Sequence, residues 1–194
     1  MTRQKKVSPK IILVLCIGAV AVFSSIFWVA RELCRRGTFV DDTRYFDRIS
    51  VVSARHGVDP QLVRAVIFQE SRFDSGVIGS KGEVGLMQVH LKGAVADWAK
   101  FHKKKLPSHA ALFNVDLNLE IGVWYLARAL KRWEKYRDRI PLALVQYNAG
   151  VARADRWKPE RFNGQVIPGI KIASTRIYVK KIMERYHKYL RDKR

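Results

Sequence analysis

Residues 61–88 read QLVRAVIFQESRFDSGVIGSKGEVGLMQ: an apolar helix ending in a carboxylate, a glycine-rich loop, and then Gly85-Leu86-Met87-Gln88. Val63, Val66 and Ile67 share a helix face with Glu70, because residues three and four apart are neighbours on a helix. A Glu that continues an aliphatic stripe is unusual, since Glu is rarely buried unless it is paired or used. Burial favours the protonated carboxyl that a general acid needs. The same spacing also fits a Glu70 at the edge of the stripe, reaching water or capping a neighbour.

Working outward, Asp59-Pro60 predicts a helix start, with Asp59 as cap and Pro60 in the first helical position. Before it, Asp41-Asp42-Thr43 offers N-cap candidates, and Tyr45, Phe46, Ile49 and Val52 repeat at helical spacing toward a stop at Gly57. Gly76, Gly79, Gly82 and Gly85, with Ser75 and Ser80, predict a loop over 74–85. Ala94, Val95, Trp98 and Phe101 predict a helix before Lys103-Lys104-Lys105, broken by Pro107. Asp116 to about Tyr136 is the longest helix predicted in the body of the chain. Gly122 inside it costs about 1 kcal/mol relative to Ala, which points to close packing against a neighbouring helix or a ligand. Pro141 opens the run Leu142 to Tyr147, which stops at Asn148-Ala149-Gly150. Trp157 to Gly169 reads as loop, and Thr175 to Leu190 as an amphipathic helix. Without strand alternation, internal repeats or a nucleotide-binding glycine motif, the body is expected to be all-α.

The chain of 194 residues has room for roughly one domain and an appendage. Its composition, 48% hydrophobic and 28% charged, fits a globular protein. The net charge of +20, of which residues 37–194 hold +14, favours polyanions such as nucleic acid, anionic headgroups or an acidic wall polymer. Cys16 and Cys34 are the only cysteines. On one helix they would stand about 27 Å apart, too far to pair. The five histidines show no ligand spacing, so neither a disulfide framework nor a zinc site is expected.

Ile11 to Ala30 is uncharged for twenty residues, about the length that spans a bilayer. Residues 1–10, with Arg3, Lys5, Lys6 and Lys10, form a basic tail expected in the cytoplasm. A cleaved signal peptide has a shorter apolar core and a small-residue cleavage site, and Trp28 beside Ala30 is a poor one. Residues 11–30 are therefore read as an uncleaved transmembrane signal anchor in the inner membrane. Residues 31–40 are then a linker, and 41–194 an exported domain in the periplasm. The helix, Gly57 and next helix also fit a helix-turn-helix. Against DNA binding, the second helix has only Arg64 and Arg72 as basic residues, so no nucleic-acid partner is expected.

Tyr147-Asn148 closes a mostly aliphatic helix. Alone, it fits a core tyrosine and a C-cap with Gly150 beyond. In combination, Glu70-Ser71, Gly85-Leu86-Met87-Gln88 fifteen residues after the Glu, and Gln146-Tyr147-Asn148-Ala149-Gly150 resemble the catalytic domain of soluble-lytic-transglycosylase-type enzymes. These cleave peptidoglycan glycan strands and are related to goose-type lysozymes. The resemblance runs from about Tyr45 to Leu190. It takes in Asn118, Gly122 and Tyr125-Leu126, and Thr175-Arg176 with Tyr178-Val179.

The resemblance implies a lysozyme-like helical domain with a glycan cleft beside Glu70, the catalytic acid/base. Ser71, Ser80, Met87, Gln88, Tyr147 and Asn148 are the implied substrate-binding residues. Met87 and Gln88 would floor the sugar groove, Tyr147 and Asn148 would line it near the Glu, and Ser71 would help hold the helix end and loop. The implied substrate is peptidoglycan, with no metal or organic cofactor. Three positions depart from the family: Gly79, often Ser, for which Ser80 could substitute; Glu83, commonly Ala; and Ser174, frequently Glu. His90 stands where goose-type lysozymes carry an acid. Ordinary glycosidases use two carboxylates, and one strong candidate favours non-hydrolytic cleavage. A hydrolytic muramidase using Glu83, and a non-catalytic wall-binding scaffold, are the alternatives.

Overall fold

The computed structural model describes residues 40–192. The basic tail 1–10, the anchor 11–30 and the linker up to residue 39 lie outside the described residues. Helix α1 is Phe46–His56 and stops at Gly57, whose φ of 64° is the left-handed conformation expected there. Its start differs from expectation. Asp41 turns back to accept from the Thr43 N–H and hydroxyl, at 3.1 and 2.7 Å, so the helix opens later without a side-chain cap. Helix α2, Pro60–Ser71, begins as read: Asp59 accepts from the Gln61 N–H at 2.8 Å, and Pro60 sets the first turn. Leu62, Val63, Val66 and Ile67 are fully buried.

After the glycine-rich loop, a π turn over Leu91–Val95 leads into α3, Ala96–Phe101. This helix ends at His102, before the basic run and well short of Pro107. Helix α4, Val115–Arg132, is capped by the Asn114 side chain, which accepts from the Leu117 N–H at 3.0 Å; it stops before Tyr136. Helix α5, Arg139–Ala149, starts two residues ahead of Pro141, which is tolerated in a first turn where its missing N–H has no partner to lose. Helix α6, Val151–Trp157, is an element the sequence pattern did not reveal. Short 3-10 turns occupy Ala110–Phe113 and Ile167–Gly169, and α7 runs over Ala173–Asp192. The domain is all-α: among the described residues, isolated bridges of Val84 to Ile78 and Val89 are the only β pairing. No described helix is long and apolar enough to cross a membrane.

Helix α2 packs against α1 and α7, and α5 lies against α4, α6 and α7. The α2–α7 pair is antiparallel, as its hydroxyl bonds show. Tyr178 donates to Glu70 at 2.5 Å near one end, and Tyr186 donates to Asp59 at 2.8 Å near the other. Tyr189 continues the series to Asp42 at 2.6 Å.

The cost of Gly122 has a visible cause. A Cβ there would stand 2.7 Å from Met87 Cβ and 2.5 Å from its Sδ, so only Gly lets α4 approach the loop residue so closely. Gly122→Ala gains about 1 kcal/mol of helix propensity. Overpacking a filled core costs about 1–3 kcal/mol. The expected result is net destabilisation in urea unfolding with an unchanged m value. A rise in stability would show that Met87 does not fill that space.

Candidate active site

The site is built on the turn Gly85–Gln88, whose polar groups are taken by side chains from three helices. Ser71, at the end of α2, donates to Leu86 O at 2.8 Å. Asn118, buried in α4, accepts from the Met87 N–H at 2.9 Å and donates to Val84 O and Leu112 O, both at 2.8 Å. Tyr147, near the end of α5, donates to Met87 O at 2.8 Å. The Gln88 amide donates to Gly85 O and Val77 O at 2.9 and 3.1 Å, closing the turn on the loop before it. Buried polar groups left without partners cost about 1–3 kcal/mol each, so these bonds fix the turn's position.

Above the turn opens a cavity of about 500 Å³. Glu70 lies on it, brought there by the apolar stripe of α2. The Tyr178 hydroxyl holds Glu70 Oε1. Burial raises the Glu70 pKa from the usual 4.5 to about 7; the Tyr178 bond pulls the other way, and the Glu83 charge adds to the rise. Tyr147 and Tyr178 are pushed well above 10, by their own burial first and then by the Glu70 charge. Both phenols therefore remain neutral donors at any pH at which Glu70 titrates.

Of the residues expected at the site, Glu70, Ser80, Gln88, Tyr147 and Asn148 line this cavity together. Ser71 and Met87 do not: both are buried, Ser71 bonding the loop and Met87 filling the space beside Gly122. Asn148 Oδ1 accepts from the Thr175 hydroxyl at 2.9 Å, which leaves the amide nitrogen as a donor. Gln88 keeps its Oε1 toward Gly79, leaving an acceptor in the cavity wall. Donors and acceptors of this kind suit a neutral polyhydroxylated or amide-bearing ligand.

Tyr125 and Lys81 were not among the site residues expected; Tyr125 meets Tyr147 edge-to-face at 5.7 Å. Glu83, the carboxylate of the hydrolytic alternative, lines the cavity with Lys81 and His90. Tyr178 was legible as part of the resemblance and of the amphipathic pattern of α7, but not as a site residue. The signal that could have found it is the one that marked Glu70, a polar atom continuing a buried face. No group of three metal-ligating side chains comes together among the described residues. What the arrangement can do is give a proton to an oxygen entering the cavity and take one back.

A family profile described as "Transglycosylase SLT domain" matches residues 48–166. The chain is 34% identical over 110 residues to membrane-bound lytic murein transglycosylase F of Desulfosudis oleivorans, covering 55% of this chain and 22% of that protein. It is 34% identical over 137 residues to membrane-bound lytic murein transglycosylase C of Edwardsiella ictaluri, covering 65% and 38%. The chain thus spans well under half the length of these curated relatives. Among solved structures, an inactive mutant of the lytic transglycosylase Slt from Pseudomonas aeruginosa superposes with a TM-score of 0.66 at 22% identity, covering 89% of this chain and 30% of that one. The 70 kDa soluble lytic transglycosylase of Escherichia coli gives 0.65 at 23% identity, over 76% and 24%. At such identities the likeness is one of fold.

The raised pKa of Glu70 has a consequence for stability. The folded state holds the Glu70 proton more tightly than the unfolded chain, so the penalty for burying the carboxylate is absent below about pH 4.5 and complete above about pH 7. Glu70→Gln removes the penalty, which is on the order of 3 kcal/mol at most. The variant is expected to melt several degrees higher than the wild type at pH 8, with the difference shrinking toward zero at pH 4.5. Parallel thermal unfolding of the two proteins across that range checks it.

Proposed function

The chain belongs to the transglycosylase SLT domain family, and from that premise we propose that it is a membrane-anchored peptidoglycan lytic transglycosylase. It cleaves the β-1,4 bond between N-acetylmuramic acid and N-acetylglucosamine and leaves a 1,6-anhydromuramic end. The observation that carries this reading is Glu70, a carboxyl with a pKa of about 7 at the wall of a polar cavity, held by a neutral phenol.

The mechanism follows from that carboxyl. Protonated Glu70 donates to the glycosidic oxygen as the bond to the muramic C1 breaks, and the N-acetylglucosamine side leaves as an alcohol. The substrate's own N-acetyl oxygen stabilises the positive centre at C1, in place of a second carboxylate. Glu70, now ionised and still accepting from Tyr178, takes the proton of the muramic C6 hydroxyl as O6 closes on C1. The acid is regenerated and no water is consumed. A pKa near the working pH serves both halves of the cycle. Gln88, Tyr147, Asn148 and Ser80 are the residues proposed to hold the sugars, with Ser71 and Met87 supporting the turn beneath them.

Residues 11–30 are proposed to anchor the chain in the inner membrane, with residues 31–40 as linker and 41–194 acting in the periplasm. The relatives are membrane-bound lytic murein transglycosylases, which supports association with a membrane. Hydrolysis is the second reading, favoured by one observation: Glu83 lines the same cavity and supplies a second carboxylate.

Digestion of purified sacculi by the detergent-solubilised full chain distinguishes the two. Products lighter by one water than the corresponding reducing muropeptides are expected. Reducing ends would instead establish hydrolysis, and retained binding without cleavage would leave a scaffold. General acid–base groups contribute about 10²–10⁴-fold, so Glu70→Gln is expected to lower turnover by at least about 100-fold. Wild-type turnover in that variant would remove Glu70 from the acid's role.

A further inference from the structure

Gly79 and Glu83 are separate positions in the sequence, but the structure makes them a single feature. A Cβ built on Gly79 would collide with Glu83 Oε2, stand 2.7 Å from Gln88 Oε1 and 3.2 Å from Glu83 Cβ, so the Glu83 and Gln88 side chains together occupy the volume that a side chain at 79 would require. The carboxylate is fixed there. Its Oε2 accepts from the Lys81 N–H at 2.9 Å, and Glu83 O accepts from the Gly79 N–H at 2.8 Å. Gly82, at a φ of 82°, makes the tight turn between the two, with its N–H on Gly79 O at 3.1 Å. Val84, the next residue, bridges to Ile78 and to Val89, so the loop is tied down on both sides of the carboxylate. The result is a second negative group on the wall of the cavity that holds Glu70.

We propose that Glu83 is a positioning residue for Glu70: lodged in the space left by Gly79, its carboxylate is fixed on the wall of the cavity that Glu70 also lines, and it biases Glu70 toward its proton-carrying form. This rests on the reading of Glu70 as the acid. A carboxylate accepts hydrogen bonds and donates none, so this part of the wall suits substrate N–H and O–H groups. The groups facing Glu70 are Tyr178 from α7, Tyr147 from α5 and Glu83 from the loop; Lys81, His90 and Tyr125 also line the cavity. Tyr147 and Tyr178 are neutral donors. Glu83 is the one acid among them, and its repulsion contributes to the upward shift of Glu70.

The test is the pH dependence of sacculus cleavage by the full chain. Activity requires protonated Glu70, so it falls as pH rises through the pKa of that group. Glu83→Gln keeps the shape and the Lys81 contact but removes the charge. It is expected to move the alkaline limb downward by roughly half a pH unit or more. Tyr178→Phe, which removes a donor to the carboxylate, is expected to move the limb upward. Gly79→Ser crowds the Glu83 carboxylate and Gln88 Oε1 together; it is expected to raise KM through Gln88 and to shift the limb as Glu83→Gln does, with the double variant Gly79→Ser/Glu83→Gln shifting the limb no further. A merely structural role would lower kcat at every pH without moving the limb. If the limb of Glu83→Gln coincides with that of the wild type while Glu70→Gln is inactive, the inference fails and the assignment of Glu70 stands. Activity in Glu70→Gln would instead overturn the assignment itself.

Discussion

The backbone turn Gly85–Gln88 is the constraint on which the cleft depends. It passes so near Asn118 that a Cβ at Gly85 would meet the Asn118 amide nitrogen at 2.5 Å, and Gly85 itself sits at a φ of 76°. Gln88 adopts a φ of 45° without being glycine, a conformation that persists only where surrounding bonds over-determine it. Those bonds are visible: Ser71, Asn118 and Tyr147 reach the turn from α2, α4 and α5. The turn is thus the junction of three helices as well as the floor support of the cavity. All three therefore help to place Gln88 on the cavity wall, while Glu70 is carried there by α2 and held by Tyr178 of α7.

The second requirement is a buried acid that remains usable. Desolvation alone pushes Glu70 toward permanent protonation, which would let it donate but leave it a poor acceptor. Tyr178 limits that tendency by donating to Oε1, and its own burial keeps it from competing for the proton. Antiparallel packing of α2 and α7 delivers this bond, because the pair is registered at its other end by Tyr186 on Asp59. The stability of the helix pair and the tuning of the acid therefore share the same hydroxyl chemistry.

Much of this was legible in the sequence, and for definable reasons. Asp59-Pro60 specified a helix start because capping and the proline φ are local effects, and Gly57 specified a stop in the same way. The all-α class followed from the periodicity of the apolar residues. Helix α6 was missed because its seven residues carry only Ala154 and Trp157 as buried side chains, too few to show a period. Helix α4 ends at Arg132, short of the expected Tyr136, although the apolar spacing continues through the buried Trp133. At the site, Glu70 stood out through its violation of the stripe, and Gln88, Tyr147 and Asn148 through their motifs. Ser71 and Met87 belong to the same motifs, yet their side chains turn inward, since motif spacing does not specify which side of a turn a residue faces. The pairing of Gly79 with Glu83 was invisible because it depends on the volume enclosed by the loop.

Glu70 is a half-buried carboxyl on the cavity wall, and the proposed chemistry requires that it exchange its proton near neutrality. Carbon-13 NMR of the protein labelled at the glutamate side-chain carboxyl, with the Glu70 signal assigned by its loss in Glu70→Gln, follows that proton directly. A titration midpoint near 7 is expected. A midpoint near the ordinary 4.5 would contradict it, because Glu70 would then be an ionised surface carboxylate at neutral pH and could not act as the acid.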